Sequence, residues 1–300
     1  MEDHHPVHEP VMVVEVLAGL NIRPGRLYVD GTVGEGGHAV AILDRLMQGG
    51  ELIGLDRNPA VLPKAADRLA PYTSRFRLFH CSFSQMGEVL GAIQVQEVAG
   101  ILLDLGLSLY LLEQSGRGFS FQLDEPLDMR FNPDEPGPTA ADLLNTLSQF
   151  DLETIFRDFG EEPRARRLAR LVVETRRRRP FHTTQDLVEV IHQALGPRRA
   201  KSRIHPATRI FQALRIAVNR ELDELEKFLS HAPAWLESQG RLVVLSYHSL
   251  EDRLVKQRFL EWDRAGVMRR LTKKPLTPSD AEVKRNPRAR AAKLRIAEKT

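Results

Sequence analysis

The 300-residue chain has a single cysteine, Cys81, which rules out an internal disulfide and a multi-cysteine zinc site and leaves a reducing compartment as the simplest setting. Long apolar runs are missing too: no stretch approaches the roughly eighteen uncharged apolar residues that a membrane-spanning helix requires. The opening Met1-Glu2-Asp3-His4-His5 is polar and acidic rather than basic and then apolar, so no secretion signal is expected. A soluble, cytoplasmic protein without a membrane segment is the expectation. Core-forming material is plentiful, with 42% hydrophobic and 28% charged residues. At roughly 150 residues per domain the chain holds about two domains and needs no structural metal.

Net charge is small, +3, but unevenly spread. Residues 1–160 hold 11 Lys/Arg against 23 Asp/Glu, and residues 161–300 hold 32 against 17. Across residues 163–215 there are 14 basic residues and 3 acidic ones, including Arg176-Arg177-Arg178-Arg179, and a second basic excess covers residues 264–300. Such a field attracts polyanions, so a phosphate-contacting surface is expected in the basic half. Four consecutive arginines cannot share one helical face, so at least two of them must be solvated or paired.

Through the first hundred residues short β-like runs alternate with helical patterns, the signature of βαβ units on a parallel sheet. Leu27-Tyr28-Val29, Leu52-Ile53-Gly54-Leu55, Phe76-Arg77-Leu78-Phe79 and Gly100-Ile101-Leu102-Leu103 read as successive strands, with a helix carrying Ala65, Ala66 and Leu69 between the second and third. After Asp104 a series of glycines and prolines, from Gly106 to Pro138, breaks any regular pattern and reads as loop. Helical periodicity then takes over. Thr139-x-x-Asp142 and Thr183-x-x-Asp186 read as capping boxes, and one long helix from about Pro206 carries Ile210, Leu214, Ala217, Leu222, Leu225 and Leu229. Phe211, Leu214 and Val218 fall on its apolar face and are core candidates. The β pattern returns only at Leu242-Val243-Val244-Leu245. A helical domain over residues 111–216 is therefore expected to interrupt an α/β domain made of residues 1–110 and 217–300.

The first strand runs into Asp30-Gly31-Thr32-Val33-Gly34-Glu35-Gly36-Gly37-His38 and then the helical Ala39-Val40-Ala41-Ile42-Leu43. In such a strand, turn and helix unit, glycines admit a ligand to the backbone and the helix N-terminus offers unpaired N–H groups. Asp56 ends the second strand, where a carboxylate can accept both hydroxyls of a ribose, and Asp104 ends a later one. Carboxylates thus gather at the carboxyl edge of the sheet, where open α/β folds bind ligands. A dinucleotide and S-adenosyl-L-methionine both suit this edge. The turn is Gly-x-Gly-Gly rather than Gly-x-Gly-x-x-Gly, and Asp30 and Glu35 disfavour a pyrophosphate. They attract a sulfonium or an ammonium, by about 4 kcal/mol per close pair at an effective dielectric near 20, so the methionine cofactor is favoured over a nicotinamide one.

Nine motifs in order extend this reading over essentially the whole chain: His8-x-Pro10-Val11, Asp30-Gly31-Thr32-x-Gly34-x-Gly36-Gly37-His38, Asp104-Leu105-Gly106, Arg117-Gly118-Phe119-Ser120-Phe121, Leu127-Asp128-Met129-Arg130, Gly160-Glu161-Glu162, the run from His205-Pro206-Ala207-Thr208-Arg209 to Val218-Asn219, His248-Ser249-Leu250-Glu251-Asp252-Arg253, and Asn286-Pro287-Arg288-Ala289-Arg290. Together they resemble the bacterial 16S ribosomal RNA cytosine-N4 methyltransferase family. The resemblance implies a Rossmann-like, class I S-adenosylmethionine-dependent methyltransferase fold with an inserted all-helical domain. It implies transfer to a cytidine in the decoding region of small-subunit 16S rRNA, with that RNA or the small ribosomal subunit as partner and no metal.

By the same resemblance Gly36, Gly37 and His38 match the cofactor turn, Asp56 the strand-two acid, Phe83 the contact after strand three, and Asp104 the strand-four acid. Leu111 stands where a Gln is usual, after Ser108-Leu109-Tyr110, and Tyr247 stands for the usual Phe. The target amine, conjugated with its ring, is a poor nucleophile and needs alignment and a proton acceptor. Asp104 is the candidate acceptor. His248 is either a substrate contact at the sheet edge or part of a helix start that Ser249 caps and Asp252 closes; it is carried as the second catalytic candidate. On the substrate side stand Arg117, Phe119, Arg130, Arg209, Arg215 and Asn219, with Phe119, Phe121 or Tyr110 available either to stack an unpaired base or to fill core. A non-catalytic RNA-binding protein on the same fold is the alternative.

Overall fold

A computed structural model describes residues 10–47, 49–196 and 205–300; Met1 to His5, His8 and the basic residues Arg198, Arg199, Lys201 and Arg203 lie outside them. In chain order the first elements are Val13–Leu20 (α1), Leu27–Asp30 (β1), Gly37–Leu46 (α2), Glu51–Asp56 (β2), Leu62–Leu69 (α3), Phe76–His80 (β3), Met86–Ala92 (α4) and Val98–Asp104 (β4). Five helices follow: Ala140–Thr146 (α5), Gln149–Asp158 (α6), Ala165–Arg176 (α7), Thr184–Leu195 (α8) and Pro206–Asn219 (α9). The chain ends with Glu221–Trp235 (α10), Leu236–Ser246 (β5), Ser249–Ala265 (α11), Met268–Arg270 (β6), Asp280–Arg285 (α12) and Lys293–Lys299 (β7).

The chain divides into two compact units, Met1–Gly106 with Leu222–Thr300, and Leu107–Glu221. The expected boundaries at 110/111 and 216/217 therefore move outward, to 106/107 and 221/222. Among the described residues the first unit holds a seven-stranded sheet in the order β3-β2-β1-β4-β5-β7-β6. Strands β1 to β5 are mutually parallel, and β7 runs antiparallel to both β5 and β6. This is the Rossmann-like arrangement with a reversed strand near one edge. Period-two alternation sends Tyr28, Leu102, Val243 and Leu245 to one face, against α1 and α2. Val29, Ile101, Leu103 and Val244 go to the other, against α4, α10 and α11. Both faces are covered, which is why the strands read as near-continuous apolar runs.

Of the two roles open to the C-terminal basic segment, RNA contact or packing back on the α/β domain, the structure shows the second: β6 and β7 join the sheet, and Arg295 is buried with Nε 2.7 Å from Asp252 Oδ1. One reading of this unit is corrected. The single long helix expected from Pro206 is two helices, because Arg220 takes a left-handed conformation (φ 53°) between α9 and α10.

The second unit is helical around its own core, in which Phe156, Leu168, Phe181, Leu187, Ile210 and Leu214 are buried. Both expected capping boxes form: Thr139 Oγ1 accepts the Asp142 N–H at 3.0 Å while Asp142 returns the bond at 2.8 Å, and Thr183 and Asp186 do the same. The stretch expected to be loop carries one short helical turn, Tyr110–Gln114.

Candidate active site

The carboxyl edge of the parallel strands assembles the site. Asp30, Asp56 and Asp104 are the last residues of β1, β2 and β4, so the sheet delivers three carboxylates to one edge. The turn after β1 is woven into its neighbours: Gly31 N–H donates to Leu102 O at 2.9 Å and Val33 N–H to Leu55 O at 2.9 Å. Thr32 Oγ1 accepts the Asp104 N–H at 2.6 Å. Asp56 closes the weave, its carboxylate accepting the Gly34 N–H at 2.9 Å and the Asn58 N–H at 2.8 Å. Gly36 precedes α2 with φ 83°, a left-handed conformation that costs glycine little. No side chain caps that helix, so its first N–H groups remain available to a ligand.

The electrostatics of this edge are strained. Asp30 is 1% exposed, and its Oδ1 accepts the Thr32 N–H at 3.1 Å. Its carboxyl is raised from the ordinary value to about 7, by burial first and then by the Asp104 and Asp56 charges, against the Thr32 bonds that lower it. Asp56 is raised to about 6, again mainly by burial, with the bonds from Asn58 and Gly34 opposing. No cationic side chain among the described residues pairs with Asp30. His38, buried in the first turn of α2, has Nε2 2.9 Å from Val11 O and Nδ1 3.6 Å from Asp104 Oδ2. Its ring is thus bonded to the segment before α1 and lies beside the Asp104 carboxylate.

Phe83 sits on the short turn Phe83–Gln85 after β3 and packs edge-on against Phe228, with centroids 5.7 Å apart. Sequence reasoning missed what holds this turn. Glu224, on α10, accepts the Ser82 hydroxyl at 2.6 Å and the Ser84 hydroxyl as well, and these bonds hold its carboxyl below the usual range against the cost of burial. The hydroxyls flanking Phe83 were the available signal, but their partner lies 140 positions away in sequence.

At the end of β5 the helix start differs from expectation. His248, not Ser249, is the N-cap of α11, its Nδ1 accepting the Glu251 N–H at 3.4 Å. Glu251, not Asp252, closes the box, accepting the Tyr247 and His248 N–H groups. Asp252 instead pairs with Arg295 and Lys293 in β7. Tyr247 lies in the field of Asp104, and burial first, then that carboxylate, pushes its phenol well above the ordinary range.

The remaining candidates belong to the helical unit, and most are tied into it. Leu111 is buried in its core. Phe119 is 6% exposed and stacks on Phe131 at 5.8 Å, so it fills core rather than presenting a face to a base. Phe121 stacks on His205 and packs against Phe211, while Val218 is only partly buried. Arg117 donates to the carbonyls of Arg130 and Phe131 at 2.8 and 2.9 Å. Arg130 forms a two-pronged pair with Asp128, and Arg215 does so with Glu221 at 2.7 and 2.8 Å. Asn219 is buried, accepting from Phe131 N–H and donating to Met129 O. Arg209 is exposed and, among the described residues, reaches only the Glu161 carbonyl, at 3.4 Å.

Comparison with known proteins decides among the chemistries open to this edge: residues 5–300 match the MraW methylase family. The chain belongs to this family. Ribosomal RNA small subunit methyltransferase H of Geobacter sulfurreducens is 49% identical over 307 residues, covering 97% of this chain and 98% of that protein. The Geotalea uraniireducens protein of the same name is 46% identical over the full length of both. Among solved structures, a SAM-dependent O-methyltransferase from Thermotoga maritima is similar at a TM-score of 0.45, with 9% identity over 98% of this chain and 67% of that one. Membership of the MraW methylase family sets aside the nicotinamide alternative. Among the described residues no helix is long and apolar enough to cross a membrane.

The residues present suit the cofactor of a methylase. Three carboxylates meet at one edge with Asp30 buried and without a cationic partner, an arrangement that a sulfonium and an ammonium relieve. The uncapped start of α2 suits a carboxylate.

Proposed function

We propose that this chain transfers a methyl group from S-adenosyl-L-methionine to the exocyclic N4 amine of a cytidine in the decoding region of 16S rRNA. The observation that carries the reading is the set of strand-end carboxylates Asp30, Asp56 and Asp104 around a glycine turn, in a member of the MraW methylase family. The relatives named as small-subunit rRNA methyltransferases support the RNA substrate.

In this reading the uncapped N-terminus of α2, after Gly36 and beginning with Gly37 and His38, receives the amino-acid carboxylate. Asp30 and Asp104 attract the cationic centres. Asp56, already oriented by two backbone N–H groups, presents its remaining lone pairs to ribose hydroxyls, and Phe83 packs on the adenine. The cofactor, when bound, supplies an electrophilic methyl group on sulfur. The chain's own contribution is alignment and proton management. Asp104 accepts the N–H of the target amine, which concentrates its lone pair on the attacking nitrogen, and takes the proton released when the N–C bond forms. Thr32 and His38 hold Asp104 in place through its backbone N–H and its Oδ2 side. His248, as a helix cap, orients the β5 end of the site.

The direct test is transfer of label from methyl-labelled S-adenosylmethionine to small ribosomal subunits that lack the modification, followed by nuclease protection with a decoding-region oligonucleotide. Label in the protected fragment is expected; label elsewhere, or none, overturns the assignment.

A further inference from the structure

The arginine run that dominates the sequence is split by the structure. Arg176 is spent on the Leu144 carbonyl, at 2.7 Å, and Arg179 on Asp186 and Glu189. Arg177 and Arg178 are exposed, and their guanidinium groups make no ion pair or hydrogen bond with the described residues. The same is true of Arg166, in the first turn of α7.

These free groups line up. Helix α7 buries Ala165, Leu168, Ala169 and Val172 in the helical core, which turns the opposite face outward. At about 100° per residue Arg166, Arg170 and Arg177 fall within about 40° of one another, and the row spans about 16 Å at 1.5 Å per residue. Arg177 still has helical backbone angles (φ −63°, ψ −24°), so it extends the row past the last turn, with Arg178 beside it. The acid of this helix is Glu174, 3.7 Å from Arg170 and exposed. Cations held this close repel one another, and a chain of phosphates removes that repulsion. Guanidinium forks match phosphate oxygens in pairs, and no aromatic side chain is interleaved among them to stack a base. The face therefore suits a nucleic-acid backbone without regard to its sequence.

We propose that the outward face of α7, through Arg166, Arg170, Arg177 and Arg178, holds the phosphate backbone of the RNA without reading its bases. This rests on the RNA reading above and adds the surface. The test uses the full chain with all four residues replaced by Gln, titrated against a decoding-region RNA fragment and a scrambled RNA of equal length over a range of salt. Four lost single-strand contacts, at about 0.7 each, should flatten the slope of log K against log salt by about 3. The same loss corresponds to binding weaker by about 100-fold at 0.15 M salt, equally for both RNAs. Arg176→Gln and Arg179→Gln should lower the thermal midpoint and leave the slope unchanged.

A quadruple variant with the parent's slope, or a loss confined to one RNA, overturns the inference. So does a parent chain whose four arginines govern binding to phosphatidylserine vesicles but not to RNA. If the parent binds both RNAs with the predicted arginine dependence yet methylates neither subunits nor RNA, the proposed reaction fails while this face stands. The converse pattern, methylation with an unchanged slope, removes the face alone.

Discussion

Asp30→Asn isolates the buried charge on which the cationic-cofactor account depends. The carboxyl is raised to about 7 in the fold, mainly by burial, against about 3.9 in an unfolded chain. The folded state therefore holds this proton to higher pH than the unfolded state does. Stability from this group is greatest below about pH 4 and falls as pH rises, at about 1.4 kcal/mol per pH unit, until about pH 7. The full loss is up to about 4 kcal/mol. Asn keeps an oxygen for the Thr32 N–H and has no proton to lose, so the variant escapes this penalty. Urea unfolding without cofactor at half-unit steps from pH 4 to 8 should show the variant gaining on the parent steadily to about pH 7 and then running parallel. S-adenosylmethionine should stabilise the parent more than the variant at pH 8, because the variant has lost the charge that meets the cation. Curves that stay parallel over the whole range would refute the buried, unpaired carboxylate and with it the electrostatic argument for the cofactor.

Asp56→Ala leaves the Gly34 and Asn58 N–H groups without their acceptor; a stability loss of about 1–3 kcal/mol together with weaker cofactor binding by calorimetry is expected, and an unchanged binding constant would remove Asp56 from the site. Glu224→Gln loosens the turn that carries Phe83, so the KM for the cofactor should rise about tenfold, in line with the loss of one charge-assisted hydrogen bond, while kcat holds; a fall in kcat at constant KM would contradict a positioning role. Gly118 has φ +74°, and a β-carbon there would lie 2.5 Å from the Pro126 carbonyl oxygen, so Gly118→Ala should cost about 1–3 kcal/mol in strain and clash. A thermal midpoint equal to the parent's would show that the loop yields freely.

The parts of the fold legible in the sequence are those where one physical rule acts alone. Strands β1, β2 and β4 are buried on both faces and so read as apolar runs, and their terminal acids could be placed at the carboxyl edge from polarity alone. The glycine turn and the two threonine capping boxes are local, and local rules found them. Strand β7 escaped because its alternation is masked by charge: Arg295 points inward, and only its pairing with Asp252 from α11 makes that burial tolerable. The break at Arg220 escaped because apolar spacing continues across it, and nothing in a non-glycine residue announces a left-handed conformation. Ser249 is the better cap by residue preference, but Glu251 reaches back to the Tyr247 and His248 N–H groups and shifts the helix start by one residue. The substrate-side arginines were visible as charges, whereas the partners that immobilise Arg130 and Arg215, and those that leave Arg166, Arg177 and Arg178 unspent, exist only in the folded chain.

The central claim, methyl transfer to the N4 amine of cytidine, is tested most directly by nucleoside mass spectrometry of RNA recovered after the purified chain acts on unmodified small subunits with methyl-labelled S-adenosylmethionine. Labelled N4-methylcytidine is expected, and it disappears when Asp104 is replaced by Asn. Label on the ring carbon as 5-methylcytidine, or on another nucleoside, would contradict it.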